Sequence, residues 1–180
     1  MTLWILAILG VALTASAAAP VAELAVGDQL PPLTGEFLTG RIAVLPQAAS
    51  GRVALLMLGF TYDSRFQIEP WAKRFRQDFG TKPGVTFFEI PMIGGVARMG
   101  KWFIDSGMRR GTAKADHENV ITVYGGTDQW KQRVGFHDPK AAYLILLGPN
   151  GTVAWRHSGS LDEEPYKALS SEVSRLLSAN

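Results

Sequence analysis

The chain has 180 residues, 47% of them hydrophobic and 19% charged, and contains no cysteine. Lysine and arginine total 18 against 16 acidic residues, a net charge of +2 with none of the dense basic striping that nucleic-acid binding requires, so nucleic acid is excluded as an expected partner. The length supports one buried core, and that core must hold without disulfides, thiolate metal ligands or a cysteine nucleophile.

The first seventeen residues, MTLWILAILGVALTASA, carry no charged side chain and end in Ala15-Ser16-Ala17, an A-x-A cleavage pattern. The expectation is a secretory signal peptide over residues 1–17 and a single domain over 18–180, exported to the periplasm or cell envelope. The alternative is a domain anchored by an uncleaved N-terminal segment. Val26-Gly27-Asp28-Gln29-Leu30-Pro31-Pro32-Leu33 is an extended entry segment, since its prolines forbid a helix, and Thr39 to Leu45 a short hairpin strand. Val53 to Phe60 is a continuous apolar run of strand length, which predicts a central strand buried on both faces.

After a turn at Thr61 to Arg65, the residues Ile68, Trp71, Ala72, Phe75 and Phe79 recur at helical spacing, and Pro70 falls in the first turns. Val85 to Ile90 reads as a second strand, and strand, helix and strand in this order predict a parallel, right-handed crossover. Val96 to Arg110 predicts a second helix carrying Met99, Trp102, Phe103 and Met108, with Gly107 and Gly111 weakening its end. Val120 to Tyr124 is a third strand, Asp128 to Val134 a short helix and Tyr143 to Leu147 a fourth strand. Gly148-Pro149-Asn150-Gly151 is a turn from which Thr152 to His157 pairs back as a hairpin. The last helix opens at Ser160 to Glu163 and buries Tyr166, Leu169, Val173, Leu176 and Leu177.

This order of elements resembles the thioredoxin-like fold, an α/β architecture with a mixed central sheet flanked by helices, and specifically its redoxin branch of peroxiredoxin-like, thiol-reductant and copper-delivery proteins. The likeness is carried by Gly27-Asp28-Gln29-Leu30-Pro31, the strand into Gly59-Phe60-Thr61-Tyr62, Pro70, and Leu146 through Val153. Matching Pro70 to the proline that follows a C-x-x-C motif puts the two thiol positions on Tyr62 and Arg65. Matching Gly59-Phe60-Thr61 to the C-x-x-x-C of the copper-delivery branch puts them on Asp63 and Gln67. Neither register supplies a sulfur, and disulfide exchange needs a thiolate.

The C-terminal two-thirds also resembles the assembly-chaperone family for the membrane sector of the mitochondrial F-type ATP synthase. Ser64-Arg65-Phe66, Trp102-Phe103 through Arg109-Arg110, His117, and Tyr143 through Trp155 with Gly159 carry that resemblance. It implies a non-catalytic factor that helps a membrane subunit mature, with a membrane-associated protein as partner and no cofactor.

Two candidate sites follow. The former redox-site loop offers Tyr62, Asp63, Arg65 and Gln67 at a helix N-terminus, where unpaired N–H groups favour anions, together with His137 and Pro139. The competing expectation is that Asp63 or Ser64 caps the helix and Arg65 is simply solvated. Pro139 is expected to be a loop proline near the place where redoxins carry a cis-proline. Arg98, Lys101, Trp102, Arg109 and Arg110 offer a partner surface of aromatic and arginine anchors or a basic face against lipid headgroups; against it stands an ordinary core helix with a solvated outer face. His117 and His137 are candidate ligands only for a metal-carrier reading, and no metal is expected, since soft Cu(I) prefers thiolates. The alternative function is a redoxin-derived enzyme or metal carrier that uses the Tyr62–Arg65 loop with His137.

Overall fold

The structure is a computed structural model that describes residues 21–94 and 100–179. The expected signal peptide, and with it Arg98 and Met99, lie outside the described residues. Strand β2 (Ile42–Leu45) falls within the expected hairpin strand, but its partner β1 (Leu33–Phe37) begins only where the expected extended entry segment ends, and β3 (Val53–Gly59) is buried along its whole length. Helix α1 (Arg65–Phe79) leads to β4 (Val85–Pro91), which pairs with β3 in parallel, as a helical crossover predicts.

Helix α2 (Lys101–Gly111) is followed by β5 (Ile121–Thr122), α3 (Thr127–Val134), β6 (Tyr143–Leu147), β7 (Val153–Ser158) and α4 (Glu163–Ser178). The strands form a β2-β1-β5 sheet and a β4-β3-β6-β7 sheet. Parallel bridges from Glu89 to Val120 and from Met92 to Val123 join β4 to the β5 segment, so the two sheets run edge to edge. The expected five-residue third strand is therefore a two-residue strand with single bridges on either side.

The period-2 geometry of β3 distributes its apolar run between two cores. Val53, Leu55 and Met57 meet Trp71, Phe75 and Phe79 of α1 and Leu169 and Val173 of α4, while Ala54, Leu56 and Leu58 meet the β1–β2 hairpin and Trp130 of α3. All five predicted stripe residues of α1 are buried. The helix runs through Pro70, which has no N–H to offer the carbonyl of Phe66. At the β6–β7 turn Gly151 has φ +81, a left-handed conformation in which a side chain would be strained.

Glu89 on β4 lies half-buried on the α1 side, and desolvation holds its carboxyl above the usual range against a weaker opposing pull from Arg76. With the folded-state pKa above the unfolded one, the native state keeps the proton longer, and stability falls as pH rises through that interval. Glu89→Gln is expected to raise stability by on the order of 1 kcal/mol at about pH 7, with the gain fading towards about pH 4. Urea titrations at both pH values check this; an equal gain at both would show that ionisation is not the cause.

Candidate functional site

The site lies where β3 gives way to α1. Beyond Gly59 the chain makes a single 3-10 turn at Tyr62–Ser64 before α1 begins, so Tyr62, Asp63, Arg65 and Gln67 stand together around the first helical turns. Neither Asp63 nor Ser64 caps the helix through its side chain, contrary to that expectation. Ser64 is buried, and its hydroxyl donates back to the Thr61 carbonyl at 2.6 Å, which closes the turn upon itself.

Arg65 is not simply solvated. Its guanidinium lies 4.3 Å from the centre of the Tyr62 ring and 4.7 Å from that of Phe66. Tyr62 is 73% exposed and Phe66 60%, so the stack presents two aromatic rings and a cation to solvent. Phe66 is not among the site residues expected from the sequence, although it lies in the Ser64-Arg65-Phe66 segment. The signal was available: it falls off the 68, 71, 72, 75, 79 stripe, on the side of the helix turned away from the core.

A second loop, residues 136–142, is fastened against the first. Thr61 Oγ1 donates to the Pro139 carbonyl at 2.6 Å, and the backbone N–H of Ala142 donates to Gln67 Oε1 at 3.2 Å. Beneath them Phe60, Phe136 and Tyr143 form an aromatic cluster with ring centres 5.3 to 5.7 Å apart. The Tyr143 hydroxyl accepts from the backbone N–H groups of His137 and Asp138 at 2.9 and 3.0 Å and donates to the Asp138 carbonyl at 2.9 Å. These contacts fix the loop with the peptide before Pro139 in the trans form. Asp63, Phe66, Gln67 and Lys140 line a groove of about 270 Å³ between the two loops.

Gln67 and Pro139 are thus brought to one place, but His137 is not brought to Asp63. His137 lines a separate hollow of about 310 Å³ with Glu23, Tyr143, Arg156 and His157, where Arg156 pairs with Glu23 at 2.9 Å. Burial pushes His157 in this hollow below the usual histidine range. His117 lies elsewhere, with Nε2 3.1 Å from the Thr112 carbonyl. Among the described residues no three histidine, aspartate or glutamate side chains gather in a metal-binding group.

The second candidate surface departs from the core-helix expectation. Helix α2 buries Asp105, 5% exposed, and turns Trp102 and Phe103 outward at 76% and 72% exposure. Asp105 accepts from Lys101 at 2.7 Å and from the Tyr124 hydroxyl at 2.5 Å, and Lys101 also pairs with Glu36 at 3.0 Å. Burial, reinforced by the hydrogen bond to Asp105, pushes the Tyr124 phenol far above its ordinary value. Arg109 donates from Nε to the Leu38 carbonyl at 2.7 Å, while Arg110 is exposed. Of the five residues expected on this surface, Trp102 and Arg110 face outward, Lys101 and Arg109 tie the helix to its neighbours, and Arg98 lies outside the described residues. The helix runs through Gly107 and ends at Gly111.

The architecture is thioredoxin-like: a mixed central sheet flanked by helices, matched by solved structures across most of the chain. A putative thiol:disulfide interchange protein DsbE from Chlorobium tepidum is 18% identical over 86% of this chain and 99% of its own, with a TM-score of 0.60. BsSco, a member of the Sco family of cytochrome c oxidase assembly proteins, is 15% identical over 89% of this chain and 99% of its own, at TM-score 0.58. A peroxiredoxin-like protein from Aquifex aeolicus is 20% identical over 86% and 88%, at TM-score 0.54. No protein-family model and no curated protein sequence matches the chain.

Proposed function

We propose that this chain is a non-catalytic thioredoxin-like binding factor that holds a protein partner on the former redox-site loop and assists the assembly of a membrane complex in the cell envelope. The observation that carries the reading is the Tyr62–Arg65–Phe66 stack: it occupies the segment where both thiol registers fall, it is exposed, and it borders a groove. Tyrosine and arginine are the residue types that anchor protein interfaces, and the stack orders them before a partner arrives. The resemblance of the C-terminal two-thirds to the ATP synthase assembly chaperones supports an assembly role, and BsSco, a fold neighbour, belongs to a family of assembly proteins.

The enzyme or metal-carrier alternative needs Asp63 and His137 to work on one substrate. They line different hollows, and the Ser64 hydroxyl gives its proton to a backbone carbonyl rather than to a base.

Site-specific photocrosslinking tests the proposal. With p-benzoylphenylalanine at position 66, the protein in its native envelope is expected to give one discrete adduct, absent when the probe sits at Lys167 on α4. The adduct should also disappear on Arg65→Ala. Adducts of equal yield from both positions, or an adduct indifferent to Arg65→Ala, would rule the reading out.

A further inference from the structure

Helix α2 turns a mixed face inward, with Ile104 and Met108 half-buried beside the buried Asp105, and its two largest apolar side chains outward. Its inner side holds Asp105 and Lys101 in a network with Tyr124 and Glu36. Its outer side carries Trp102, Phe103, Gly107 and Arg110, all exposed, within little more than two turns. The Trp102 and Phe103 rings touch edge to face with centres 6.1 Å apart and form one apolar ridge.

The charge beside that ridge has one sign. In residues 101–114 the cations Lys101, Arg109, Arg110 and Lys114 face one anion, Asp105, which is buried against Lys101. The acids just beyond are also taken: Asp116 by Arg76 at 2.9 Å, and Glu118 by Arg41 and Thr39. Among the described residues Arg110 and Lys114 have no acidic partner within ion-pair distance.

From this geometry we infer that α2 lies on an anionic lipid surface, with Trp102 and Phe103 in the headgroup–acyl boundary and Arg110 and Lys114 on lipid phosphates. An exposed Trp–Phe ridge flanked by cations is the chemistry of an interfacial helix, because the rings seek the boundary while the cations meet the surface potential. The inner network holds the helix to the domain, so docking requires no rearrangement of the core. The first charged side chain of the whole sequence is Glu23; of the two readings of the apolar run before it, the uncleaved anchor would hold the domain at a membrane and the cleaved signal would release it into the envelope. This surface is separate from the groove at position 66, and the photocrosslink and the experiment below stand or fall independently.

A chain without cysteine accepts a single reporter cleanly. At Gly107 an added Cβ meets nothing within 4 Å, so Gly107→Cys labelled with the solvent-sensitive fluorophore NBD probes the outer face without disturbing the fold. Ser171→Cys, exposed on α4, is the control; whatever residues 1–17 contribute to vesicle binding is common to both. The full-length labelled chain is mixed with phosphatidylcholine vesicles, with or without roughly a third phosphatidylglycerol. The expected result is a blue shift and intensity gain at position 107 on anionic vesicles only, reduced by salt, with the control label unchanged. Combined Arg110→Glu and Lys114→Glu substitution should raise the lipid concentration needed by on the order of tenfold. Trp102→Ser with Phe103→Ser should abolish the shift, while an unchanged urea midpoint shows that the inner network survives. An unmoved label, equal responses on both vesicle types, or a concentration-dependent shift without vesicles, the sign of a second copy, would each overturn the inference.

Discussion

Trp71→Ala is expected to destabilise the protein by about 3–5 kcal/mol, the largest loss from any single side chain considered. Trp71 is fully buried, and its ring lies 6.2, 5.6 and 6.0 Å from those of Trp155, His157 and Tyr166. Its indole N–H donates to the Gly159 carbonyl at 3.1 Å. One residue therefore ties α1 to β7 and to α4, and truncation leaves both a cavity and an unpaired, half-buried carbonyl. Urea denaturation should show the loss, and Trp71→Phe, which keeps much of the volume, should recover part of it. A loss below about 1.5 kcal/mol for Trp71→Ala would show that α1 is anchored by other contacts.

Gly59→Ala is expected to cost about 1–3 kcal/mol and to displace the binding loop. A Cβ at this position would stand 2.3 Å from Ser64 Oγ and 2.8 Å from Ile68 Cδ1, far inside contact distance. The 3-10 turn sits directly over the end of β3, and only glycine leaves room for it there. The added methyl must push Ser64 outward, which breaks its bond to Thr61 and carries away the Thr61 latch on Pro139. Binding at the loop should suffer more than the fold. The photocrosslink from position 66 is expected to fall well below that of Trp71→Phe at comparable stability. A Gly59→Ala protein with normal stability and a full crosslink would contradict the close approach of turn and strand.

Much of this frame is legible in the residues. The unbroken apolar run of β3, the five-residue stripe of α1, the bounds of β6 and the Gly-Pro-Asn-Gly turn each carry one dominant signal, either periodicity or turn chemistry, and each stands where expected. The orientation of α2 was less accessible. Spacing tells which residues share a face, and Trp102 and Phe103 would conventionally be assigned inward. The partners that draw Asp105 in, Tyr124 and Glu36, come from distant segments that the β1–β5 pairing brings together.

The candidate site divides in the same way. Tyr62, Asp63, Arg65 and Gln67 could be located by register on the fold, whereas the seating of the 136–142 loop depends on the Tyr143 hydroxyl and the Phe60–Phe136 contact, neither of which leaves a periodic trace. His137 was drawn into the site by nearness in sequence to Pro139. In the fold, Pro139 faces Thr61 while His137 lines the neighbouring hollow with Glu23.

On the proposed function, the loop that carries thiols in redoxins is a surface for holding another protein. Hydrogen–deuterium exchange on the full chain, compared between its own solubilised membrane fraction and the purified state, tests it most directly. The prediction is slowed exchange in the membrane fraction confined to residues 61–67 and 137–142 at this site, and lost on Arg65→Ala. Exchange in those two segments that is the same in both states would contradict it.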